Sequence, residues 1–400
     1  MLNRVACYNE KNHLRRKLLK RVQITGKSVR KFEDGYPIVS LTDLENHNDF
    51  EDGAWVQLEN HGHFVATAYF AKQHRGIGYV LSLRENEAID ERFFAGKLRA
   101  AAARRSAFAD VAAYRLFNSV GDNLGGLTID VYNGIYVFRW ENQALKQQSR
   151  LIYSAFDRIV GKAFPIVSVS AGQEKAQLVR GDLGKQPMTI MENGIAYPVD
   201  LTSGRQQLAL EFRDIRDWVK ADSAQKRLLN LFSAETGVVT AAMVGGAVEA
   251  VTVDPTNRAT TATQAQLDAN NLDQAAVEMR TMDVANYLDY AVKHELTFDT
   301  IAINPPAFVR GKKRAFTLEQ DLQELLEQAL KLTHTGSQVL VTTTTPTYNL
   351  KRLRQTVNDA VENYTGSVSV STTFQSPADF QSNAADRHSE SLKGLLLTIV

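Results

Sequence analysis

The residues best suited to chemistry lie in one short run, Asn304-Pro305-Pro306-Ala307-Phe308, which follows an apolar β-like stretch at 298–304. Two consecutive prolines fix two φ angles and remove two backbone donors, so a loop built this way is stiff. The Asn304 amide offers a carbonyl and an amine to the edge of a flat nitrogenous base, and the Phe308 ring can stack on its face. We predict that Asn304, Pro305, Pro306 and Phe308 form a catalytic loop at the end of a strand.

Three more candidates follow β-like runs in the same half of the chain. In an open α/β sheet, ligands bind beyond the carboxyl ends of the strands. Gly237 lets the backbone approach a ligand, or merely makes a tight turn. Asp254 is placed to accept from ribose hydroxyls, with a helix N-cap before Pro255 as the alternative. Asp283 can accept from an adenine amine or cap the helix that begins at Val284.

Several kinds of site are disfavoured by the remaining residues. The threonines at 342–345 are good strand residues but poor nucleophiles without a base, and we interpret them as structural. His294 and His334 have no partner pattern, so we expect no Ser-His-Asp constellation and no metal site. Cys7 is the only cysteine, which excludes an internal disulfide and a multi-cysteine zinc site and fits a cytoplasmic protein. No apolar run is long enough to predict a membrane span.

Basic residues are concentrated at the N-terminus. Residues 1–31 hold ten of the 46 Lys and Arg residues but only one of the 45 acidic ones. Such an imbalance favours an anionic partner, usually nucleic acid, although a solvated basic helix or tail explains it equally well. The predicted RNA-binding residues are Arg15, Arg16, Lys17, Lys20 and Arg21.

The order of the predicted elements divides the chain into three parts. Residues 1–75 contain a hairpin around Asn60-His61-Gly62, and a third strand is expected at 76–83, which suggests a small β-barrel. Residues 76–190 form a middle α+β domain with a hairpin at 125–140 turning at Asn133-Gly134, followed by a Gly-, Lys-, Pro- and Asn-rich loop at 181–194. In 191–400, seven strands, the first five alternating with helices, predict an α/β domain with a Rossmann-like parallel sheet and an antiparallel edge.

These residues together resemble a known family over nearly the whole chain. The family is that of bacterial large-subunit rRNA methyltransferases, which join an N-terminal PUA domain to a class I methyltransferase domain. The segment RLFNSVGDNLGGLTIDVYNGIYV (115–137) is similar to the family's Arg-Leu…Gly-Asp-x-Leu-x-Gly-Leu-x-x-Asp hairpin, and LNLFSAETG (229–237) resembles its Asn-x-Phe-Ser-Tyr-Thr-Gly-Gly motif. The resemblance implies a PUA-like RNA-binding domain, S-adenosylmethionine as cofactor and ribosomal RNA as partner. The implied cofactor-binding residues are Arg213, Phe232, Ser233, Gly237, Asp254 and Asp283.

The chain departs from the family pattern where chemistry matters most. Asn304-Pro305-Pro306 replaces the family's Asp-Pro-Pro, and the family's catalytic cysteine falls near Thr344. Methylation of carbon 5 of cytosine needs a thiolate to attack the ring, and a threonine alcohol cannot replace it. Cys7 lies in a different predicted domain.

Three hypotheses therefore stay open at this point. The chain is an active RNA methyltransferase with a target other than carbon 5 of cytosine, because Asn-Pro-Pro followed by an aromatic residue resembles the loop of enzymes that methylate exocyclic amines. Alternatively, it is an RNA-binding protein that kept the fold and lost catalysis. The third hypothesis is a cytosine methyltransferase that uses an unseen route. Expected partners are RNA but no membrane, and a homodimer is left open.

Overall fold

The computed structural model describes residues 19–73, 75–232, 237–310 and 315–400. Arg15, Arg16, Lys17 and Ser233, which the sequence singled out, lie outside the described residues. Within those ranges, no helix combines the length and the apolar character that crossing a bilayer requires.

The first unit is a five-stranded sheet of described residues in the order β1-β3-β4-β5-β2. The predicted hairpin is confirmed, because His61 and Gly62 both take positive φ and join two antiparallel strands. β1 and β2 are the two edge strands of this sheet, and an isolated bridge joins Ile24, directly after β1, to Leu44, five residues after β2. The elements are β1 (Lys20–Gln23), α1 (Gly26–Glu33), β2 (Ile38–Val39), β3 (Trp55–Asn60), β4 (His63–Phe70) and β5 (Gly78–Ser82).

The strand expected at 76–83 belongs to this first sheet. It pairs with β4 from Phe70–Gly78 to Thr67–Ser82, so the backbone hydrogen bonds of residues 78–82 are made within the first unit. We therefore place the end of that unit after Ser82 rather than at residue 75.

The middle unit is a second five-stranded sheet of described residues, ordered β10-β9-β8-β7-β6 and covered by two helices. Its central hairpin turns at Asn133-Gly134, both at positive φ, as the sequence predicts. The elements are α2 (Glu91–Arg104), β6 (Ala113–Asn118), β7 (Leu127–Tyr132), β8 (Ile135–Trp140), α3 (Gln143–Lys146), α4 (Ser149–Ile159), β9 (Ile166–Ser170) and β10 (Gln177–Arg180).

The loop predicted at 181–194 is wrong in its second half. Residues Met188–Glu192 form β11, which pairs antiparallel with β12 (Ile195–Val199) around Asn193-Gly194. Both turn residues take positive φ, so this is the Asn-Gly hairpin signal again, hidden by the Gly- and Lys-rich residues before it.

The last unit is a seven-stranded sheet of described residues in the order β15-β14-β13-β16-β19-β21-β20. All neighbouring strands from β15 to β19 are parallel, and β21 is antiparallel to both of its neighbours. The expected antiparallel strand thus lies one place inside the edge. The strands are β13 (Arg227–Leu231), β14 (Glu249–Asp254), β15 (Val277–Thr281), β16 (Thr300–Ile303), β19 (Gln338–Thr343), β20 (Val368–Gln375) and β21 (Lys393–Ile399).

Helices connect the parallel strands and cover the sheet on both faces, as two separate apolar clusters show. A short strand pair, not predicted from sequence, joins both ends of the segment after β16. The elements are α5 (Arg213–Asp222), α6 (Val238–Val244), α7 (Asn257–Ala269), α8 (Val284–Lys293), β17 (Phe308–Val309), β18 (Phe316–Thr317), α9 (Leu318–Leu330) and α10 (Leu350–Glu362).

The three units share their cores. One apolar cluster joins residues of the first sheet, such as Tyr69 and Tyr79, to the middle unit. Another joins the middle strands to the hairpin β11–β12 and to one face of the last sheet. The molecule is therefore packed as one body, and the positions of its units relative to one another are set by buried side chains.

Candidate functional site

Phe232, Asp254, Asp283 and Asn304 lie at the carboxyl ends of neighbouring strands, at one edge of the seven-stranded sheet. Leu231, the last residue of β13, lies opposite Val253 of β14 on one side and Ile303 of β16 on the other. Asp254 and Asn304 each come one residue later. They flank β13 from two adjacent strands, about 10 Å apart by the usual strand spacing. This edge is hereafter the donor edge, comprising the ends of β13, β14, β15 and β16.

Phe232 makes the turn at the end of β13. Its φ is +60°, a conformation that a non-glycine residue adopts rarely and at a cost of about 1–3 kcal/mol. Its N–H donates to the Val253 carbonyl at 3.0 Å, and its buried ring packs on Phe316 with centroids 5.3 Å apart. The strained turn is thus held by β14 on one side and by β18 on the other.

Gly237 begins the helix after β13 and takes φ +70°. A Cβ at this position would lie 2.8 Å from Tyr197 Cε1 and 3.0 Å from Arg216 Cδ. Packing against these two side chains therefore already requires glycine here. Tyr197 belongs to the hairpin β11–β12, so this hairpin packs against the start of α6 at the donor edge.

The two predicted carboxylates keep part of their acceptor capacity. The Asp254 Oδ1 atom accepts from the Thr256 N–H at 2.8 Å and from its hydroxyl at 2.6 Å, so both bonds fall on one oxygen. The helix cap is Thr256 itself, which makes the alternative role of Asp254 as N-cap wrong. Asp283 does cap α8, because its Oδ1 accepts from the Asn286 N–H at 3.1 Å.

The proline loop is anchored at its start and exposed further on. The Asn304 N–H donates to the Leu231 carbonyl at 3.1 Å, and the Thr342 hydroxyl lies 3.2 Å from Asn304 Oδ1. Pro305 is buried, whereas Pro306 is exposed and Phe308 has 59% of its surface accessible. The loop therefore holds the amide rigidly and presents an aromatic ring to solvent.

A buried lysine beside this loop was missed by sequence reasoning. Lys393 is 1% exposed, and its Nζ donates to the carbonyls of Thr345 and Glu390 at 3.0 Å each. Burial lowers the pKa of Lys393 to about 8, against a smaller opposing effect of Glu390. Thr344, where the resemblance places the family's cysteine, is exposed at the adjacent end of β19. A single lysine before an apolar strand carries no spacing signal that could have revealed this neighbourhood.

Arg213 lies at a junction between units rather than free at the donor edge. Its Nη1 donates to Asp379 Oδ1 at 3.1 Å and its Nη2 to the Ala113 carbonyl at 2.8 Å, and its guanidinium lies 5.5 Å from the Phe108 ring centroid. The two Nη atoms thus donate to the β20–β21 connection and to the middle unit, while Nε lies 3.7 Å from Glu192 Oε2 without a hydrogen bond. A direct hold on a bound cofactor is not what this arrangement supports.

The hairpin motif at 115–137 has a structural explanation. Asp122 accepts from Arg105 through both oxygens at 2.7 Å, and Arg105 also donates to the Asp379 carbonyl at 2.7 Å. Asp130 is fully buried and pairs with Arg115, whose N–H donates to Asp379 Oδ2 at 2.8 Å. The acidic residues of the motif therefore hold Arg105 and Arg115, and these two arginines contact Asp379 of the last unit.

Of the predicted RNA-binding residues, two fall on described positions, and both are exposed and paired. Lys20 lies 3.3 Å from Asp49 Oδ1, and Arg21 lies 3.3 Å from Glu59 Oε1. Each cation at the start of β1 thus has a carboxylate beside it, which weakens its attraction for a polyanion. Across the described residues, no group of His, Cys, Asp and Glu side chains is arranged to hold a metal ion.

Comparison with known proteins agrees with this geometry. Residues 176–389, more than half of the chain, match the model of a family described as S-adenosylmethionine-dependent methyltransferases. The chain belongs to the S-adenosylmethionine-dependent methyltransferase family. Residues 22–83 match a PUA-like domain, which ends with β5 and agrees with placing the boundary after Ser82.

Relatives of this methyltransferase extend over nearly its full length. YwbD of Bacillus subtilis strain 168, which its name proposes to be a ribosomal RNA large subunit methyltransferase, is 33% identical over 92% of this chain and 96% of its own. Ribosomal RNA large subunit methyltransferase I of Aliivibrio fischeri is 25% identical over 88% of this chain and 91% of its own. The crystal structure of the methyltransferase SMU.776 in complex with SAH superimposes with a TM-score of 0.86 at 27% identity, covering 95% of this chain and 100% of that one.

The chain is thus a methyltransferase with an N-terminal PUA-like domain, and its cofactor is S-adenosylmethionine. That cofactor supplies an electrophilic methyl group. The donor edge fits it chemically, since the carboxylates of Asp254 and Asp283 each have one oxygen beyond those engaged in local turns.

Proposed function

We propose that the chain transfers a methyl group to an amino nitrogen of a base in large-subunit ribosomal RNA. The observation that carries the proposal is the meeting of Asp254, Asp283 and Asn304 at adjacent strand ends of the methyltransferase sheet. The names of the relatives, which refer to large-subunit rRNA, support RNA as the substrate class. A cytoplasmic location and a homodimer stay predictions.

Asp254 and Asp283 are proposed to hold the cofactor. The Asp254 carboxylate has an oxygen left to accept from ribose hydroxyls, a role typical of an acid at the second strand end of such sheets. Asp283, half-exposed at the end of the neighbouring strand, is suited to accept from the adenine amine. Phe232, Gly237 and the undescribed Ser233 complete the proposed binding residues, whereas Arg213 is assigned to positioning the units.

Asn304 and Phe308 are proposed to hold the target base. The Thr342 hydroxyl occupies one side of Asn304 Oδ1, and the oxygen has a second lone pair for the hydrogens of an exocyclic amine. Phe308 supplies an exposed face for stacking. Binding in this way aims the nitrogen lone pair at the methyl group, and positioning of this kind needs no thiolate. The exposed Thr344 has no role in this route.

A methylation assay tests the proposal. Ribosomal RNA from a strain that lacks the gene is incubated with the purified chain and radiolabelled S-adenosylmethionine, with 16S RNA as comparison substrate. We expect label in 23S RNA, found in an N-methylated base by mass spectrometry. Asn304→Ala and Phe308→Ala should each lower the rate at least tenfold without weakening the binding of SAH in calorimetry.

Thr344→Ala is the matched control, because it changes an exposed side chain at the adjacent strand end. It should leave the rate within twofold of the wild type. A rate abolished by Thr344→Ala but kept by Asn304→Ala would show that the amine route is wrong. SAH binding without methyl transfer to any RNA would favour a catalytically silent RNA-binding protein.

A further inference from the structure

An opening between the first two units lies away from the donor edge. It is a cavity of about 420 Å³ between the first sheet, helix α2 and the β20–β21 connection. Its walls include Tyr36 from the first unit, Arg84 from the segment after β5, Phe93 and Lys97 from α2, and Asn383 from the connection. A volume of this size falls in the range of small-molecule sites and is large enough for a nucleotide.

The cavity is electropositive. Arg84, Arg92 and Lys97 line it together with a single acid, Glu87. Glu87 is already engaged, since its Oε2 accepts from the Ser82 hydroxyl and its Oε1 lies 3.8 Å from Arg84 Nη1. The only acid in this lining, Glu87, also attracts the Lys97 ammonium group. Three cations against one acid leave the opening with a net positive charge, which attracts an anion.

Lys97 is held out of full solvation. It is half-buried, its Nζ lies 5.1 Å from the Phe93 ring centroid, and burial lowers its pKa. A desolvated ammonium group gains more from an incoming phosphate than an exposed one does, because the surrounding dielectric screens the attraction less. The Lys97 ammonium group on helix α2 is therefore stabilised when an anionic ligand binds.

Flat side chains stand beside these cations. Tyr36 and Phe93 line the same opening, and aromatic rings next to Lys and Arg are the usual means of binding unpaired nucleotides. Gly96 leaves its side of the cavity clear, since a Cβ there would meet nothing within 4 Å. The chemistry of the walls thus suits a phosphate and a base together.

One short segment connects the cavity to the end of β19, which lies beside β16 of the donor edge. Asn383 lines the cavity, and five residues later His388 Nδ1 lies 2.8 Å from the Pro346 carbonyl, close to the end of β19. Five residues span at most about 18 Å. A strand of RNA leaving the cavity along this segment therefore reaches the proposed methylation site within a few nucleotides.

We propose that this cavity binds an unpaired nucleotide of the RNA substrate, with Arg92 and Lys97 on its phosphate and the half-buried Tyr36 against its base. The proposal rests on the proposed function for the identity of the nucleic acid as substrate. It adds a second binding point that the donor edge does not contain.

Fluorescence anisotropy with a labelled single-stranded uridine 12-mer tests it on the full chain. Arg92→Ala/Lys97→Ala should weaken binding at least tenfold in 0.1 M salt and reduce the log–log salt slope by about 1.4, the value for two single-strand phosphate contacts. The matched control Arg99→Ala/Arg150→Ala removes two exposed cations of α2 and α4 outside the cavity and should change affinity less than threefold.

A second pair of variants tests the cavity without changing charge. Gly96→Trp fills it and should weaken binding as the double variant does, whereas Gly96→Ala should not. Equal losses from the two double variants, or full binding by Gly96→Trp, would overturn the proposal.

SAH calorimetry on the same preparations keeps the two proposals apart. Loss of oligonucleotide binding leaves the affinity for SAH unchanged if only the cavity is affected. Failure of methyl transfer, in turn, leaves the oligonucleotide result standing on its own.

Discussion

The donor edge and the junction around Asp379 both contain several acidic residues, yet these residues have different hydrogen-bonding partners in the two regions. At the junction, Asp122, Asp379 and Asp386 are buried to 1% exposure or less and face arginines through both carboxylate oxygens. At the donor edge, the hydrogen bonds of Asp254 and Asp283 fall on a single oxygen each.

The number of engaged carboxylate oxygens distinguishes acids that join parts of the chain from acids that can bind a ligand. A carboxylate whose two oxygens are saturated by arginines in a dry interior has no capacity left for a substrate. One that caps a turn with one oxygen can accept from a ligand with the other. Residue type alone does not distinguish the two regions, whereas the count of engaged oxygens does.

The largest expected effect follows from breaking the junction. Asp122→Ala leaves the buried guanidinium of Arg105 without its bidentate partner, and removing one member of a buried ion pair costs about 3–5 kcal/mol. Urea unfolding should show this loss of free energy of unfolding. Asp110→Ala, at an exposed position nearby, should change it by less than about 0.5 kcal/mol. A small effect at Asp122 would remove the contrast drawn here.

Lys393 combines features of both regions. It is buried like the acids of the junction, yet it lies at the end of β19, next to the donor edge. Its folded pKa of about 8 lies below the ordinary 10.5, so the unfolded chain binds more protons between these values. Its contribution to stability therefore rises with pH across that window, by up to about 3 kcal/mol. Below pH 8 the unfavourable effect of the buried charge is fully present.

Lys393→Met should remove this pH dependence, as measured by urea unfolding at pH 7, 8, 9 and 10. Its two lost hydrogen bonds to Thr345 and Glu390 shift the free energy by a constant and leave the slope as the readout. Lys351→Met, at an exposed position, should keep the wild-type slope. Parallel curves for Lys393→Met and the wild type would contradict the assignment.

Of alanine substitutions at the acids of the two regions, Asp254→Ala should change the free energy of unfolding least. It should nevertheless clearly weaken the binding of SAH. We expect the affinity for SAH to fall about 10- to 100-fold, or about 1.4–2.8 kcal/mol, in calorimetry. Stability should change by only about 1 kcal/mol, the loss of a turn contact to Thr256. The exposed Asp289→Ala serves as control. Large destabilisation with intact binding would place Asp254 with the junction residues.

Local patterns predicted most of the sheet and the proposed site. The alternation of strands and helices located the seven strands of the last sheet, and the Asn133-Gly134 turn located the middle hairpin, because both signals depend on neighbours in the sequence. The position of Asn304, Asp254 and Asp283 at one edge followed from the parallel topology.

The rest depends on contacts between distant residues. Asp379 meets Arg115 and Arg105 from more than 260 positions away, and no short-range periodicity records that pairing. Arg213 matched a motif and nevertheless lies in the junction, because its partner is supplied by the far end of the chain. The sequence suggested a third strand at 76–83 but set the boundary at residue 75, and only the pairing of this strand with β4 places residues 78–82 in the first sheet.

The β20–β21 connection contacts every unit of the molecule. Asp386 pairs with Arg75 next to the first sheet, Asp379 binds the middle unit, and His388 touches the end of β19. This connection thus fixes the distance between the PUA-like domain and the proposed methylation site. If the PUA-like domain binds the RNA at one point, only a nucleotide at that distance along the RNA reaches the site. Selection of the target would then depend on RNA length between the two points as well as on the identity of the base.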